Sequence, residues 1–447
     1  MTPARWTALT VVAVIVVAVG IAAWLLLPSP AMSFAGGKPV PLASYAGASP
    51  TGVPAELRAA DPITRGRYLA KAADCEACHT VEGGAPYAGG RPFKTPFGTM
   101  YSPNITPDRA TGLGTWSDAD FLRAVHKGIA KDGERLYPSF PYEAYTLMSD
   151  DDVLAIKAYL FSLPPTHAVA PPDALAFPFN HRPLMAVWSL IYNPDHRFQP
   201  RADRSPEWNR GAYLAEALAH CGDCHTARNL AQALDNRRKF GGAVTAGWRA
   251  YNITADRSSG VGSWTDDEIA EYLHAGHAAG HGSAGGPMAE AVDLSLSNLT
   301  PGDTRALVAY LRSVPAIHTP DLPAPKAEAA SEMPKQMAAG AANPRGRQVF
   351  EGACASCHGW SGVSPLTDLA TLTGNRAVND PTAINVAQIV ISGARRETPN
   401  GAVVMPAFGR TYSDDEIAAV ANYVTARFGS TPSSITAKQV AKFRQAQ

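Results

Sequence analysis

The six cysteines of the 447-residue chain fall into three pairs, and a histidine follows each pair at once. The frames are Cys75-Glu-Ala-Cys78-His79, Cys221-Gly-Asp-Cys224-His225 and Cys354-Ala-Ser-Cys357-His358. Three chemistries use such a pair. Structural zinc takes two pairs as four thiolates, which would leave one pair over. A redox dithiol has no need of the histidine. Covalent attachment of a porphyrin needs every member of the frame. Two thiols add across the two vinyl groups of one porphyrin edge, and the adjoining imidazole reaches the iron from one face. With 12 histidines in the chain, three such placements by chance have odds of about 1 in 50,000. The frames therefore read as attachment sites for three haem c groups, with His79, His225 and His358 as proximal iron ligands.

Each frame is positioned in the same way. A helical stretch leads into it: RGRYLAKAAD, NRGAYLAEALAH and PRGRQVFEGA. Helices with Ser caps close the units, as in Ser149-Asp-Asp-Asp152 and Ser413-Asp-Asp-Glu416, where an acid follows the cap by three residues. Between these helices the chain is rich in loop, with 38 glycines and 37 prolines and little sustained strand pattern. The expected fold is all-α, three tandem loop-rich haem domains over residues 61–165, 204–318 and 343–430. The segment 166–203 connects the first two, and its apolar stretch Phe177–Tyr192 reads as a brace packed across them. A docking surface for a partner subunit or for the membrane is the functional alternative. Residues 319–342 have the low complexity of a flexible linker, and 431–447 form a tail.

At the N-terminus, Trp6–Leu27 is a charge-free apolar run long enough to span a bilayer. Arg5 precedes it, and no cluster of positive charge follows, which places the bulk of the chain on the far side. A cleaved signal peptide is the alternative. The run is long for that role, and Pro28-Ser-Pro-Ala31 has no clear cleavage site. Residues 1–35 are therefore expected to be a retained anchor, a single transmembrane helix. Basic and acidic residues balance at 39 each, so nothing points to nucleic acid as a partner.

The first two units are copies of one another. Asn104-Ile-Thr106 recurs as Asn252-Ile-Thr254, Gly112–Trp116 as Gly260–Trp264 and His126 as His274, always 148 residues on. The paired asparagines have the spacing of glycosylation acceptors, but their recurrence at matched places reads as turn-forming asparagines near the haem. A thioether is the common sixth ligand of haem c iron and raises its potential. Met405 is the only methionine after His358, and Met288 is the only one between the second frame and the linker. The residue 148 positions before Met288 is Phe140, which cannot ligate. Met100 and Met148 are the candidates to replace it. Met100 corresponds to Trp248, and Met148 has the look of a hydrophobic staple before Ser149. The sixth position of the first haem stays divided between a substitute ligand and an open site.

The stretches GTMYSPNITPDRATGLGTWSDADFLRAVHKGIAKDG and SPEWNRGAYLAEALAHCGDCHTARN, with the three frames, resemble the triple-haem cytochrome c subunit of bacterial membrane-bound periplasmic dehydrogenases. That family serves alcohol, gluconate, sorbitol and aldehyde dehydrogenases, and the resemblance runs from about Asp61 to Gly429. It implies that the chain oxidises no organic substrate. A separate catalytic subunit, of PQQ, flavin or molybdenum type, passes electrons to the haems, which hand them to ubiquinone at the bacterial inner membrane on its periplasmic side. It also implies His225 with Met288 and His358 with Met405 as ligand pairs, and His79 on the first haem. Alcohol and gluconate members read Met-Pro-Tyr where this chain reads Phe140-Pro-Tyr, a departure that looks more like subunits of molybdenum aldehyde-type enzymes. Two other readings compete: a peroxidase or small-oxide reductase using an open iron in the first domain, and a cytochrome subunit of a terminal oxidase.

Overall fold

The computed structural model describes residues 26–325, 342–398 and 401–446, together with Val14 and Gly20. The expected anchor Trp6–Leu27 thus lies outside the described residues except at Val14, Gly20, Leu26 and Leu27. Among the described residues no helix is long and apolar enough to cross a membrane. Most of the expected linker, 326–341, also lies outside them.

Helices and loops dominate. In the first unit α1 (Pro62–Ala72) leads into the short α2 (Cys75–His79), followed by α3 (Asp118–Lys127), α4 (Tyr142–Tyr145) and α5 (Asp150–Ser162). Helix α6 (Leu184–Tyr192) lies in the connecting segment. The second unit repeats the plan with α7 (Pro206–Tyr213), α8 (Gly222–His225), α9 (Asp266–Ala275), α10 (Pro287–Leu294) and α11 (Pro301–Arg312). The third has α12 (Pro344–Ala353), α13 (Ala355–His358), α14 (Ile384–Ser392), α15 (Asp414–Phe428) and α16 (Ala437–Ala446). Side chains cap the closing helices as expected: the hydroxyls of Ser149, Thr300 and Ser413 accept from the N–H groups of Asp152, Asp303 and Glu416.

One glycine sets the architecture of every unit. Gly66, Gly211 and Gly346 hold the same place in the leading helix, where it crosses the closing helix. A Cβ at these positions would collide with the carbonyl oxygens of Ala155, Ala306 and Ala419. The missing side chain lets the two backbones touch, and the frame hangs from the far end of that crossing. In the second unit Gly211 precedes its frame by ten residues, against nine for Gly66. A π-helical turn over Leu214–Leu218 takes up the extra residue.

The structure adds short antiparallel hairpins, such as Pro92–Thr95 with Gly98–Tyr101 and Ala394–Thr398 with Gly401–Met405. Strands of five residues or fewer leave little alternating pattern to read. The first two units share one hydrophobic core, with buried residues from Ala35 to Val314, and the third has its own. The third docks on the second mainly through arginines. Arg249 pairs with buried Asp380 at 2.9 Å, Arg396 donates to the Ala275 carbonyl at 2.7 Å and Arg376 to that of Ser258 at 2.9 Å. Two flanks differ from their expected looseness. Leu322 is buried and Asp321 pairs with Arg249, so the start of the linker is packed. Ile435 and Val440, in the tail, are buried in the third core.

Candidate haem centres

Each frame occupies one short turn of helix, which keeps both cysteines and the histidine within a single local geometry. All three imidazoles are held alike. Nδ1 donates to a backbone carbonyl: His79 to Pro103 at 2.8 Å, His225 to Tyr251 at 2.6 Å and His358 to Ala370 at 2.6 Å. A carbonyl can only accept, so each ring carries its proton on Nδ1, which leaves the Nε2 lone pair free to ligate a metal. Burial also lowers each imidazole below its ordinary value, which keeps it neutral. The six cysteines are free of disulfides. Burial pushes Cys75, Cys78 and Cys221 up to about 12, and Cys224 and Cys354 to about 11. Such thiols are protonated, unlike the thiolates of a reactive dithiol. Among the described residues no three His, Cys, Asp or Glu side chains are placed to hold a metal ion by themselves.

A single cavity of about 2790 Å³ runs past all three frames. An ordinary small-molecule pocket reaches only ~1,000 Å³. Its wall includes Cys78, Cys224 and Cys357 from the frames, together with His225, His358, Met288 and Met405. Met288 sits in the first turn of α10. Gly286 just before it has φ +53°, and a Cβ there would strike the Trp248 indole. Met405 ends the hairpin strand Gly401–Met405. The donor set fits haem c: paired thiols, an imidazole with Nε2 free and, in two units, a thioether on the shared wall.

The first unit differs from the other two at the position that the repeat matches to Met288. Phe140 is half-buried, with its ring edge-on to Tyr145 at 5.4 Å, while its neighbours Ser139 and Pro141 form the cavity wall. Met148 is 1% exposed, within the shared core and off that wall. Met100 is on the wall, and its Sδ accepts from Ser139 Oγ at 3.7 Å. Met185 of α6 is there too. Sequence reasoning missed it, because a methionine in an apolar helix outside the repeat reads as packing. His126 is buried and also away from the wall. The recurring asparagines are turn-formers: Asn104 Oδ1 accepts from the Thr106 N–H at 2.9 Å and Asn252 Oδ1 from that of Thr254 at 2.8 Å. Both are buried, where no glycan could attach.

The comparisons agree with this geometry. A family model described as cytochrome c matches residues 63–164. Another, described as cytochrome c oxidase, cbb3-type, subunit III, matches residues 341–424 only. The chain is 37% identical to the fructose dehydrogenase cytochrome subunit of Gluconobacter japonicus, over 86% of this chain and 82% of that protein. It is 36% identical to the gluconate 2-dehydrogenase cytochrome c subunit of Pantoea cypripedii, over 86% and 89%. A subunit of the nicotinate dehydrogenase of Pseudomonas putida is 39% identical over 82% of this chain, which spans 30% of that longer protein. With paired thiols, neutral imidazoles and relatives matched along most of its length, the chain belongs to the family of cytochrome c subunits of dehydrogenases, as an electron-transfer subunit.

Proposed function

We propose that the chain binds three haem c groups and relays electrons from a separate dehydrogenase subunit to ubiquinone, at the periplasmic face of a bacterial inner membrane. The observation that carries this reading is the single cavity on whose wall cysteines of all three frames and both Met288 and Met405 meet. Bound haem supplies a one-electron ferric/ferrous couple. The protein's own part is to fix it. Cys75 and Cys78, Cys221 and Cys224, and Cys354 and Cys357 tether one edge. His79, His225 and His358 present Nε2, oriented by the carbonyls behind them. Met288 and Met405 complete the second and third sites. In the first, Met100 is the substitute for Phe140, because Ser139, next to the vacated slot, already holds its sulfur.

The named relatives serve nicotinate, fructose and gluconate dehydrogenases, which supports a catalytic subunit as the electron source. Phe140 leans toward the molybdenum aldehyde type over PQQ or flavin partners. The charge-free run Trp6–Leu27 supports membrane attachment. Ubiquinone is supported by the apolar side chains Phe97, Phe179, Met185 and Trp188 on the cavity wall, which suit a lipophilic carrier. Against a haem enzyme, the residue in the slot is Phe140 and the nearby wall carries Met100 and Met185, side chains that cannot act as acid or base. Purification tests the reading. The chain should leave membranes with a larger catalytic subunit, and its denatured mass should carry three covalent haems. A chain that purifies alone, with fewer haems, would contradict it.

A further inference from the structure

Helix α6 has two unlike faces. Trp188, Ser189 and Tyr192 are buried: Trp188 Nε1 donates to the Ala231 carbonyl at 2.8 Å, and its ring meets Tyr142 edge-on. This is the brace across the first two units. The opposite face carries Leu184, Val187, Leu190 and Ile191, all exposed, with Leu190 at 84%. Spacings of three and four residues make them one stripe. Leu230 (82% exposed), next to the Ala231 that Trp188 holds, and Phe177 (84%), in the segment leading into α6, add two more exposed apolar side chains. A soluble surface gains nothing from such an apolar stripe.

What covers it is indicated by the neighbouring chain. Tyr192 OH donates to the Leu26 carbonyl at 2.6 Å, and Asn236 Nδ2 donates to that of Ser29 at 2.8 Å. Leu26 and Leu27 are the last residues of the apolar run Trp6–Leu27. The end of that run is thus fixed to the root of α6, so a run that enters a bilayer brings the stripe to the bilayer surface. Nine residues of helix extend about 14 Å, too short to cross hydrocarbon ~30 Å thick. LMAVWSLIY holds no charged residue and packs its aromatic side chains on the protein, so its open apolar face suits contact along a lipid surface and not a crossing.

We infer that the Leu184–Ile191 face of α6, with Phe177 and Leu230, is embedded in the lipid surface as a second membrane contact. This rests on the membrane reading above and deepens it. Phe179, Met185 and Trp188, beneath the stripe, also line the cavity that reaches Cys78. This stretch of the cavity wall therefore lies next to the proposed lipid contact, near a membrane-dissolved carrier.

The test uses the complex as purified from membranes, with the full chain, in nanodiscs of phosphatidylcholine and phosphatidylglycerol carrying an acyl-chain diazirine. After illumination, peptides are mapped by mass spectrometry. Adducts are expected in 177–192 as well as in 1–30. Adducts in 1–30 with none in 177–192 overturn this inference and leave the anchor standing, including the case where the catalytic subunit covers α6. No adducts in either segment overturn both. The exposed-site double variant Val187→Glu/Leu190→Glu should keep its haem content and lose at least tenfold of the adducts in 177–192. An unchanged yield would show the labelling there to be incidental.

Discussion

Tyr68 of the first unit donates its phenol proton to Asp303 Oδ2 of the second across 2.6 Å. Tyr213, the matching residue of the second unit, donates to Asp152 Oδ2 of the first at 2.5 Å. Each tyrosine lies two residues after the glycine of its helix crossing, and each aspartate is the third residue of a closing helix. The backbone N–H groups of the caps Thr300 and Ser149 point at the same two phenol oxygens. The duplicated units thus face each other as a reciprocal pair, which explains why they share one core.

Cutting this pair should loosen the shared core without touching the third unit. Hydrogen bonds to charged groups contribute about 1.5–3 kcal/mol each, so Tyr68→Phe and Tyr213→Phe should each cost about that much. Thermal unfolding followed at the haems should show a lowered transition for the first two units and an unmoved one for the third. A single transition that shifts as a whole would mean that the arginine-lined contact couples all three.

The Oε1 of Glu143, in α4, is buried without a hydrogen bond, and the nearest opposite charge is the Arg228 guanidinium at 3.8 Å. Burial, with Asp223 adding negative charge, pushes its carboxyl from 4.5 up to about 8. The folded protein therefore holds a proton that the unfolded chain releases near 4.5, and stability falls as pH rises from about 4.5 to 8. Glu143→Gln should flatten the melting temperature across that window. An equally steep fall in the variant would assign it to another group.

Met288→Ala and Met405→Ala should each keep covalent haem and lower one midpoint potential, because only the sixth ligand goes. The sulfur–iron charge-transfer absorbance of that haem should vanish with it. Unchanged spectra and potentials in either variant would show that the wrong methionine has been named.

The first haem tests Met100. With that thioether in place, the reduced wild type should bind no carbon monoxide, and Met100→Leu should open one haem in three. Adding Phe140→Met to Met100→Leu should close it again, since the repeat aims position 140 at the iron. Carbon monoxide binding by the wild type would show an open site, and an effect of Met185→Leu in place of Met100→Leu would name the other methionine on the wall.

Much of this was legible because haem attachment is local. Cys75, Cys78 and His79 are fixed by one turn of helix, so their spacing alone discloses their chemistry. Met288 stood out as the only methionine between the second frame and the linker, and the 148-residue repeat then exposed the anomaly at Phe140. Sequence could not separate Met100 from Met148, since which one reaches the cavity depends on how the hairpin Gly98–Tyr101 meets Ser139 across the fold. The Tyr68–Asp303 contact joins residues 235 apart and leaves no local trace. The two faces of α6 were half visible: Phe177–Tyr192 read as apolar throughout, and only the packing of Trp188 and Tyr192 shows which side remains open.

The most direct test of the relay is an anaerobic titration of the purified complex with the substrate of its catalytic subunit, followed at the haem c absorbance. Three electron equivalents should be taken up per chain, and all three haems should reoxidise on adding ubiquinone. Haems that stay oxidised under substrate, or a chain that turns over peroxide or a small oxide without any partner, would contradict the relay.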